Sequence, residues 1–392
     1  MHSNCINKLL NLKDVTVKKV EHADTWVKFY LETKPTEQTC PNCGSKTARI
    51  HDYRQQIIKD LPFQFKHTYL VLRKRRYHCS CGKNFYEHYS FLARYYHHTK
   101  RLRCKVYDLL RDTITLKLVA RKTNLSVSTV SRILDDVSYS LNSTLPKVIA
   151  IDEFKGNTDA GKYQCIPTDP KKSQILDIMP DRTQSHLSHY FRDIDKSERY
   201  KVQFFICDMW QPYVDLAHTY FPNATVVIDK YHFARQVTWA IENVRKRLQK
   251  TMPASLRKYY KRSHKLILGR YDNLKPQDRQ SCDLMLLYND DLRKAHHLKE
   301  WFYEISQSPK YSYQRTAFWE WIKEAESCEI PEFVKCAATF RHWSKGILNA
   351  FKYKYTNGPT EGYNNKIKVL KRVSYGVKNF KRFRTRILHS CS

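Results

Sequence analysis

Four acidic residues stand at positions where they could do chemistry. Asp152, Asp208 and Asp229 each close an apolar run (KVIAID, VQFFICD and ATVVID). Glu361 opens a helical stretch, TEGYNNKIKVLKR, and no Asp or Glu follows it to the end of the chain. Carboxylates at the ends of buried strands are presented at the edge of an open sheet, where such sheets hold ligands. A few convergent carboxylates suffice for Mg²⁺, a hard cation that keeps several of its waters. Cleaving and joining nucleic-acid strands calls for two such ions about 3.5–4 Å apart, one at the attacking oxygen and one at the leaving oxygen. Asp152 and Asp208, from neighbouring strands, and Glu361, from a helix packed alongside, form the candidate set. Alone, Glu361 reads more simply as a first-turn carboxylate favoured by the helix dipole; the partner aspartates change that balance. Glu153 follows Asp152 and should point to the opposite face of its strand. Asp229 and His232 have two readings, a strand-end turn with a core histidine or a supporting site beside the carboxylates.

A second cluster carries different chemistry. Cys40-Pro-Asn-Cys43-Gly and Cys79-Ser-Cys81-Gly are two pairs of thiols, each followed by a turn glycine. That pattern predicts one structural Zn²⁺ held by Cys40, Cys43, Cys79 and Cys81, with all four positions filled and none open for catalysis. The second pair is one residue tighter than the usual spacing, which leaves His78 and His88 as alternative ligands. Further on, LKLVARKTNLSVSTVSRIL fits a helix-turn-helix. Ala120 sits where the helices cross, Asn124 suits a left-handed turn, and Leu125, Val130 and Ile133 fill the shared core. Ser126 caps the second helix. Ser128, Thr129, Ser131 and Arg132 are then left to face a DNA groove.

These groups need elements to hold them. Residues 1–90 alternate as short strands around the cysteines, and 91–143 read as the helix-turn-helix domain. Residues 144–235 run three strands, helix, strand, helix, strand, the first part of a catalytic core. Residues 236–355 follow as a helical insertion whose tryptophans read as core, and 356–392 close the catalytic core with a basic helix. In that helix Lys368, Lys371 and Arg372 are candidates for phosphate contact. The fold class is therefore an α/β multidomain chain. Lys and Arg number 70 against 38 Asp and Glu, a net +32 spread along all 392 residues. Such a surface suits a polyanion, with nucleic acid the first candidate. No apolar run approaches the ~18 residues of a membrane span, and the first residues carry no signal-peptide pattern. Reduced, paired cysteines point to the cytoplasm.

The strand order resembles the ribonuclease-H-like fold, and the carboxylates resemble those of DDE transposases. More narrowly, the chain resembles the ISL-three family of bacterial insertion-sequence transposases. The matching motifs are CPNCG at 40–44, RRYHCSCGKNF at 75–85, IDEFKG at 151–156, DRTQ at 181–184, CDMWQPY at 207–213, FPNATVVIDKYH at 221–232 and NGPTEGYNNKIKVLKRVSYG at 357–376. The resemblance implies Asp152, Asp208 and Glu361 as catalytic ligands of two Mg²⁺ or Mn²⁺ ions, with Asp229 and His232 beside them. It implies double-stranded DNA as partner, both the element's terminal inverted repeats and the target, and a homodimer or higher oligomer on that DNA, in the cytoplasm at the nucleoid. Water would attack at the element end, and the freed 3′ hydroxyl would then attack target DNA. The alternative is a catalytically inactive DNA-binding regulator built from the same zinc and helix-turn-helix modules.

Overall fold

The computed structural model describes residues 3–12, 14–139 and 144–391, so the expected domain boundary at 143 lies outside the described residues. The chain forms two compact units: Met1–Ser140 with Lys366–Ser392, and Leu141–Asn365.

The first unit begins with α1 (Ser3–Leu10), followed by β1 (Val15–His22) and β2 (Trp26–Thr33). A two-stranded ribbon of β3 (Gln38–Thr39) and β4 (Lys46–Thr47) leads into the long β5 (Ile50–Phe63), β6 (Lys66–His78) and the short β7 (Asn84–Tyr86). The main sheet runs β1-β2-β6-β5, with β7 paired to β6. Alternation along β2 and β6 puts Val27, Phe29, Leu31, Leu70 and Leu72 into one buried cluster, as a period of two requires. Three helices follow: α2 (Lys100–Leu109), α3 (Leu116–Thr123) and α4 (Val127–Asp135). Thr99, Thr115 and Ser126 cap them by accepting from Leu102, Leu118 and Thr129 amides. Asn124 ends α3 in the left-handed region at φ 54°, and Ala120, Val130 and Ile133 are buried together.

Residues 356–392, expected as one closing piece of the catalytic core, divide between the two units at Asn365 and Lys366. The physical reason is α17 (Phe380–Cys391). Its Arg386, 2% exposed, donates to the carbonyls of Leu110, Asp112 and Ile114 and so satisfies backbone acceptors of the α2–α3 connection. His389 bridges the Tyr107 carbonyl at 2.7 Å and the Tyr139 hydroxyl at 2.8 Å. Arg382 forms a two-pronged pair with Asp135 at 2.7 and 2.6 Å.

The second unit is built on β8 (Val148–Lys155), β9 (Tyr163–Asp169), β10 (Gln174–Ile175), β11 (Phe204–Cys207) and β12 (Thr225–Ile228). Their order is β10-β9-β8-β11-β12, antiparallel from β10 to β8 and parallel from β8 to β12. The last of the three strands expected at the start of this region, QILDIMPD at 174–181, keeps only Gln174–Ile175. There Asp177 turns back to accept from the Ile178 amide, and Met179 rejoins Cys165 through an isolated bridge before Pro180. Helices α5 (Gln184–Arg192), α6 (Lys196–Tyr200) and α7 (Gln211–Tyr220) connect the strands. The helices α8 (Lys230–Leu248), α9 (Ala254–Arg262), α10 (His264–Leu268), α11 (Pro276–Leu287), α12 (Asp290–Gln307), α13 (Tyr311–Ser327), α14 (Pro331–His342) and α15 (Ser344–Tyr353) follow. Residues 236–355, expected as a helical insertion, share a core with the sheet. Phe302, Phe318, Trp321 and Phe340 belong to one continuous core with Ile149, Ile206 and Ile228 of the sheet. Trp321 is the fully buried tryptophan of this region, its indole donating to the Leu298 carbonyl at 2.8 Å. Trp239 departs from expectation: it is 46% exposed on α8, under the Arg235 guanidinium.

Candidate active site and metal centre

Asp152 does not end its strand. β8 runs three residues beyond it because β9 stays paired, Asp152 opposite Ile166 and Lys155 opposite Tyr163. On the other side β11 follows β8 in parallel, with Phe204 beside Val148 and Ile206 beside Ala150. β11 ends at Cys207, so Asp208 is the first residue beyond it, close enough to Asp152 for its charge to act there. Burial pushes the Asp152 carboxyl up, and the Asp208 charge pushes it further, to about 7. Its two oxygens accept from the Glu153 amide and from Asn364 Nδ2, each at 2.7 Å. His232 Nε2 lies 2.9 Å from Asp208 Oδ1, but that buried oxygen makes no hydrogen bond of acceptable angle, so the contact is an ion-pair approach. Burial draws the His232 pKa down, yet Asp208, Asp229 and Asp152 outweigh it and the net shift is upward. Glu153 points away, to Arg182 at 2.6 Å and the Tyr213 hydroxyl at 3.3 Å.

Asp229 closes the loop before α16 (Gly358–Val373). It accepts from the Asn357 amide at 2.9 Å and the Thr356 hydroxyl at 3.3 Å, so its carboxylate clamps that loop rather than capping α8. Asn357 Nδ2 reaches the Ile151 carbonyl at 3.3 Å, one residue before Asp152. The Thr360 and Thr168 hydroxyls meet at 2.7 Å, and Tyr363 bonds the Ser173 carbonyl. Within the second unit, the start of α16 is therefore fastened on several sides of Asp152. Glu361 lies on this fastened turn, its amide donating to the Asn357 carbonyl at 3.1 Å, while the residue itself is exposed. Asp152, Asp208 and His232 thus share one edge with Asp229 just behind it. Glu361 is carried to the same helix turn without touching them. Asn364 and Asn357 were not foreseen as partners; the only signal was the Asn-rich motif itself. Their Oδ1 atoms and Asp208 Oδ1 are buried oxygens without hydrogen bonds, hard donors of the kind Mg²⁺ prefers.

The thiols are gathered more tightly. Cys40 and Cys81 sulfurs are 3.7 Å apart and those of Cys43 and Cys79 3.5 Å apart. All four lie within 4.8 Å of one another, the one such group of potential metal ligands among the described residues. A tetrahedron with Zn–S bonds of about 2.3 Å has edges of about 3.8 Å, so the set fits zinc. His78 is turned to Asn84 at 2.8 Å, and neither it nor His88 belongs to the cluster. The short second pair is accommodated by Gly82 at φ 84°, whose amide closes on the Cys79 carbonyl at 2.9 Å. Gly44, at φ 75°, closes on Cys40 at 3.0 Å in the same way. Ser45, through hydroxyl and amide, draws the Cys43 thiol down to about 6, favouring the thiolate that binds metal.

On α4, Ser128 and Arg132 are exposed. Thr129 is half-buried because its hydroxyl completes the cap with Ser126 at 2.9 Å and meets Arg132 at 3.3 Å. On α16, Lys368 and Arg372 are exposed and Lys371 half-buried. No helix among the described residues is long and apolar enough to cross a membrane.

Residues 149–387 match the transposase model of the ISL3 family, described simply as a transposase. Residues 36–81 match the zinc finger of transposases IS204/IS1001/IS1096/IS1165, and 87–138 the helix-turn-helix domain of transposase family ISL3. The chain is 28% identical over 373 residues to the transposase for insertion sequence element IS1001 of Bordetella parapertussis, covering 90% of this chain and 88% of that one. It is 25% identical over 254 residues to the transposase for insertion sequence element IS1557 of Mycobacterium tuberculosis, covering 59% of this chain and 57% of that one. With a zinc-binding ribbon, a helix-turn-helix and a matched transposase region along one chain, this protein belongs to the ISL3 family of transposases.

Proposed function

We propose that this transposase binds the terminal repeats of its insertion sequence, cuts at the element ends and joins them to target DNA at the edge formed by Asp152, Asp208 and Glu361. The observation that carries the reading is the pair Asp152–Asp208, Asp152 on β8 and Asp208 just past the end of β11, with Asp152 held up to about 7 by burial and its neighbour's charge. Two like carboxylates half-withdrawn from water are unfavourable by themselves, which is what a site made for a cation looks like before it is filled. The strand order β10-β9-β8-β11-β12 supports a ribonuclease-H-like core. The carboxylates of Asp152, Asp208 and Glu361 would hold Mg²⁺ or Mn²⁺, which supplies charge stabilisation to the attacking and leaving oxygens of phosphoryl transfer.

The chain's own residues then have distinct tasks. Asn364 orients Asp152, and Asp229 anchors the loop that delivers Glu361. His232, whose pKa the carboxylates of Asp208, Asp229 and Asp152 raise against the pull of burial, offsets part of the charge at Asp208 when protonated. Water attacks the phosphorus at the element end and releases a 3′ hydroxyl; that hydroxyl attacks a target phosphodiester, exchanging one ester bond for another. Ser128 and Arg132 of α4, with the basic surface of α16, bind the duplex. The zinc cluster holds the N-terminal ribbon in shape. The protein acts on DNA as a homodimer or larger assembly. The test is purified protein with Mg²⁺ and labelled duplex carrying the flanking element ends. Nicks mapped to the element boundary support the reading, and intact DNA beside sequence-selective binding would leave a regulator instead.

A further inference from the structure

Asp208 stands in the turn that joins β11 to α7, one residue beyond the last strand pairing. The Trp210 amide donates to the Asp208 carbonyl at 2.8 Å, so the two residues are tied across a three-residue turn. Trp210 takes the N-cap position of α7, yet its side chain makes no cap bond. The indole packs instead under the Arg182 guanidinium at 4.9 Å and edge-on to the Tyr213 ring at 4.6 Å. What aims Asp208 is therefore what holds Trp210.

Arg182 holds the neighbouring strand as well. Its guanidinium donates to Glu153 at 2.6 Å and sits over the Tyr163 ring at 4.6 Å. Glu153 follows Asp152 on β8, Tyr163 opens β9, and the Tyr213 hydroxyl donates to Glu153 at 3.3 Å. The segment that delivers Arg182 is fixed at Asp181, which accepts from the Thr183 amide and hydroxyl at 2.8 and 2.6 Å. One guanidinium thus links the residue after Asp152 to the residue two beyond Asp208. The Arg182–Glu153 pair is 38% and 22% exposed, and a pair so open to water contributes little stability. Its place between two segments whose carboxylates repel each other gives it a different use. An ammonium there would keep the charge but not the planar stack on two rings.

We propose that Arg182 is a positioning residue for strand cleavage: by tying Glu153 to Trp210, it fixes how the Asp152 and Asp208 carboxylates stand to each other and so the affinity of their edge for a divalent cation. The inference rests on the reading of that edge as a cation site. Glu153 leaves β8 on the face opposite Asp152, so Arg182 acts through its two neighbours and not on the cation or the DNA.

The test is Mn²⁺ binding by the full zinc-loaded chain, with and without a duplex carrying the element end, followed by the paramagnetic resonance of free Mn²⁺. Asp152→Ala removes the edge and marks which binding belongs to it. Arg182→Lys should weaken that binding about tenfold, the lower end of what outer partners of metal ligands give, with the melt in EDTA and the affinity for duplex unchanged. Trp210→Leu should weaken it as much, and the double variant no further, because both cut one link. Trp210→Leu also gives the readout if Arg182→Lys does not fold. Equal Mn²⁺ affinity of wild type, Arg182→Lys and Trp210→Leu overturns the proposal and leaves the cation edge in place. An equal loss in Trp321→Phe, whose missing indole bond to Leu298 lies in the helical core, overturns it too. Wild type that binds no more Mn²⁺ than Asp152→Ala, in either condition, overturns the reading of the edge itself.

Discussion

The thiol cluster and the carboxylate edge are both candidate metal sites, yet they are assembled in opposite ways. Two glycine-closed turns bring the four sulfurs within 4.8 Å of one another, two of the separations being 3.5 and 3.7 Å against about 3.8 Å for the edge of a zinc tetrahedron. The carboxylates of Asp152 and Asp208 are half-buried, with Asp208 Oδ1 left unpartnered beside the amide oxygens of Asn357 and Asn364 and Glu361 standing off. The first arrangement is closed and satisfied by one ion. The second stores unfavourable charge and keeps positions open. Whether a polar group's partners are already in the protein thus separates the closed thiol cluster from the proposed reaction edge.

The largest effect should come from opening the closed site. Cys40→Ser or Cys43→Ser should lose the one zinc per chain and with it the folding of residues 36–90, since structural zinc binding contributes about 10 kcal/mol or more to folding. Metal analysis and circular dichroism of the purified variants check this; zinc retained at full stoichiometry would erase the contrast. Next is the open site. Asp152→Ala, Asp208→Ala and Glu361→Ala should each lower strand cleavage by about a hundredfold or more while end binding stays within about twofold, because affinity comes from Lys and Arg contacts to phosphate. A variant that cleaves near normally removes its residue from the set.

These two sites were unequally legible. The cysteines and the aspartates after apolar runs stand out because a thiol pair with a following glycine, or an acid closing an apolar strand, is a local pattern. Asn364 and Asn357 carry no such mark. Their partners Asp152 and Ile151 lie 212 and 206 residues away, so nothing local encodes the contacts. The same holds for α17. Arg386 carries no mark in the sequence that sets it apart from the other cations of the basic segment, yet it donates to three carbonyls, and burial pushes its pKa down to about 10. Periodicity suggested buried tryptophans, but an amphipathic helix also has an outer face, and Trp239 lies on it.

A smaller effect measures the stored charge directly. Asp152 has a folded pKa near 7, above the unfolded value of about 3.9. The native state therefore holds a proton that the unfolded chain releases, and stability falls as pH rises from about 4 to 7, with the full penalty above 7. Asp152→Asn carries no such penalty, and Asn364 can turn its unpartnered Oδ1 toward the new amide. In EDTA at pH 8 this variant should be more stable than wild type by about 2–4 kcal/mol, with the gap closing below pH 4. Denaturant melts at the two pH values decide it. A variant less stable than wild type at pH 8 would mean the edge stores no charge.

The smallest effect applies the same criterion to the cations. Arg382 is spent on Asp135 in a half-exposed two-pronged pair, whereas Lys381, its neighbour on α17, is exposed. Arg382→Ala should cost at most about 1 kcal/mol of stability, as surface pairs do. Because its charge is already balanced by Asp135, the salt dependence of DNA binding should not change. Lys381→Ala should do the reverse, leaving the melt alone and flattening the salt slope by about 0.9 if it meets one phosphate. Both variants bind the same labelled duplex across a salt series, so the two slopes are compared directly. A flattened slope for Arg382→Ala with an unchanged melt would show that a partnered cation still serves the DNA, and the rule drawn from the two metal sites would not extend to the basic surface.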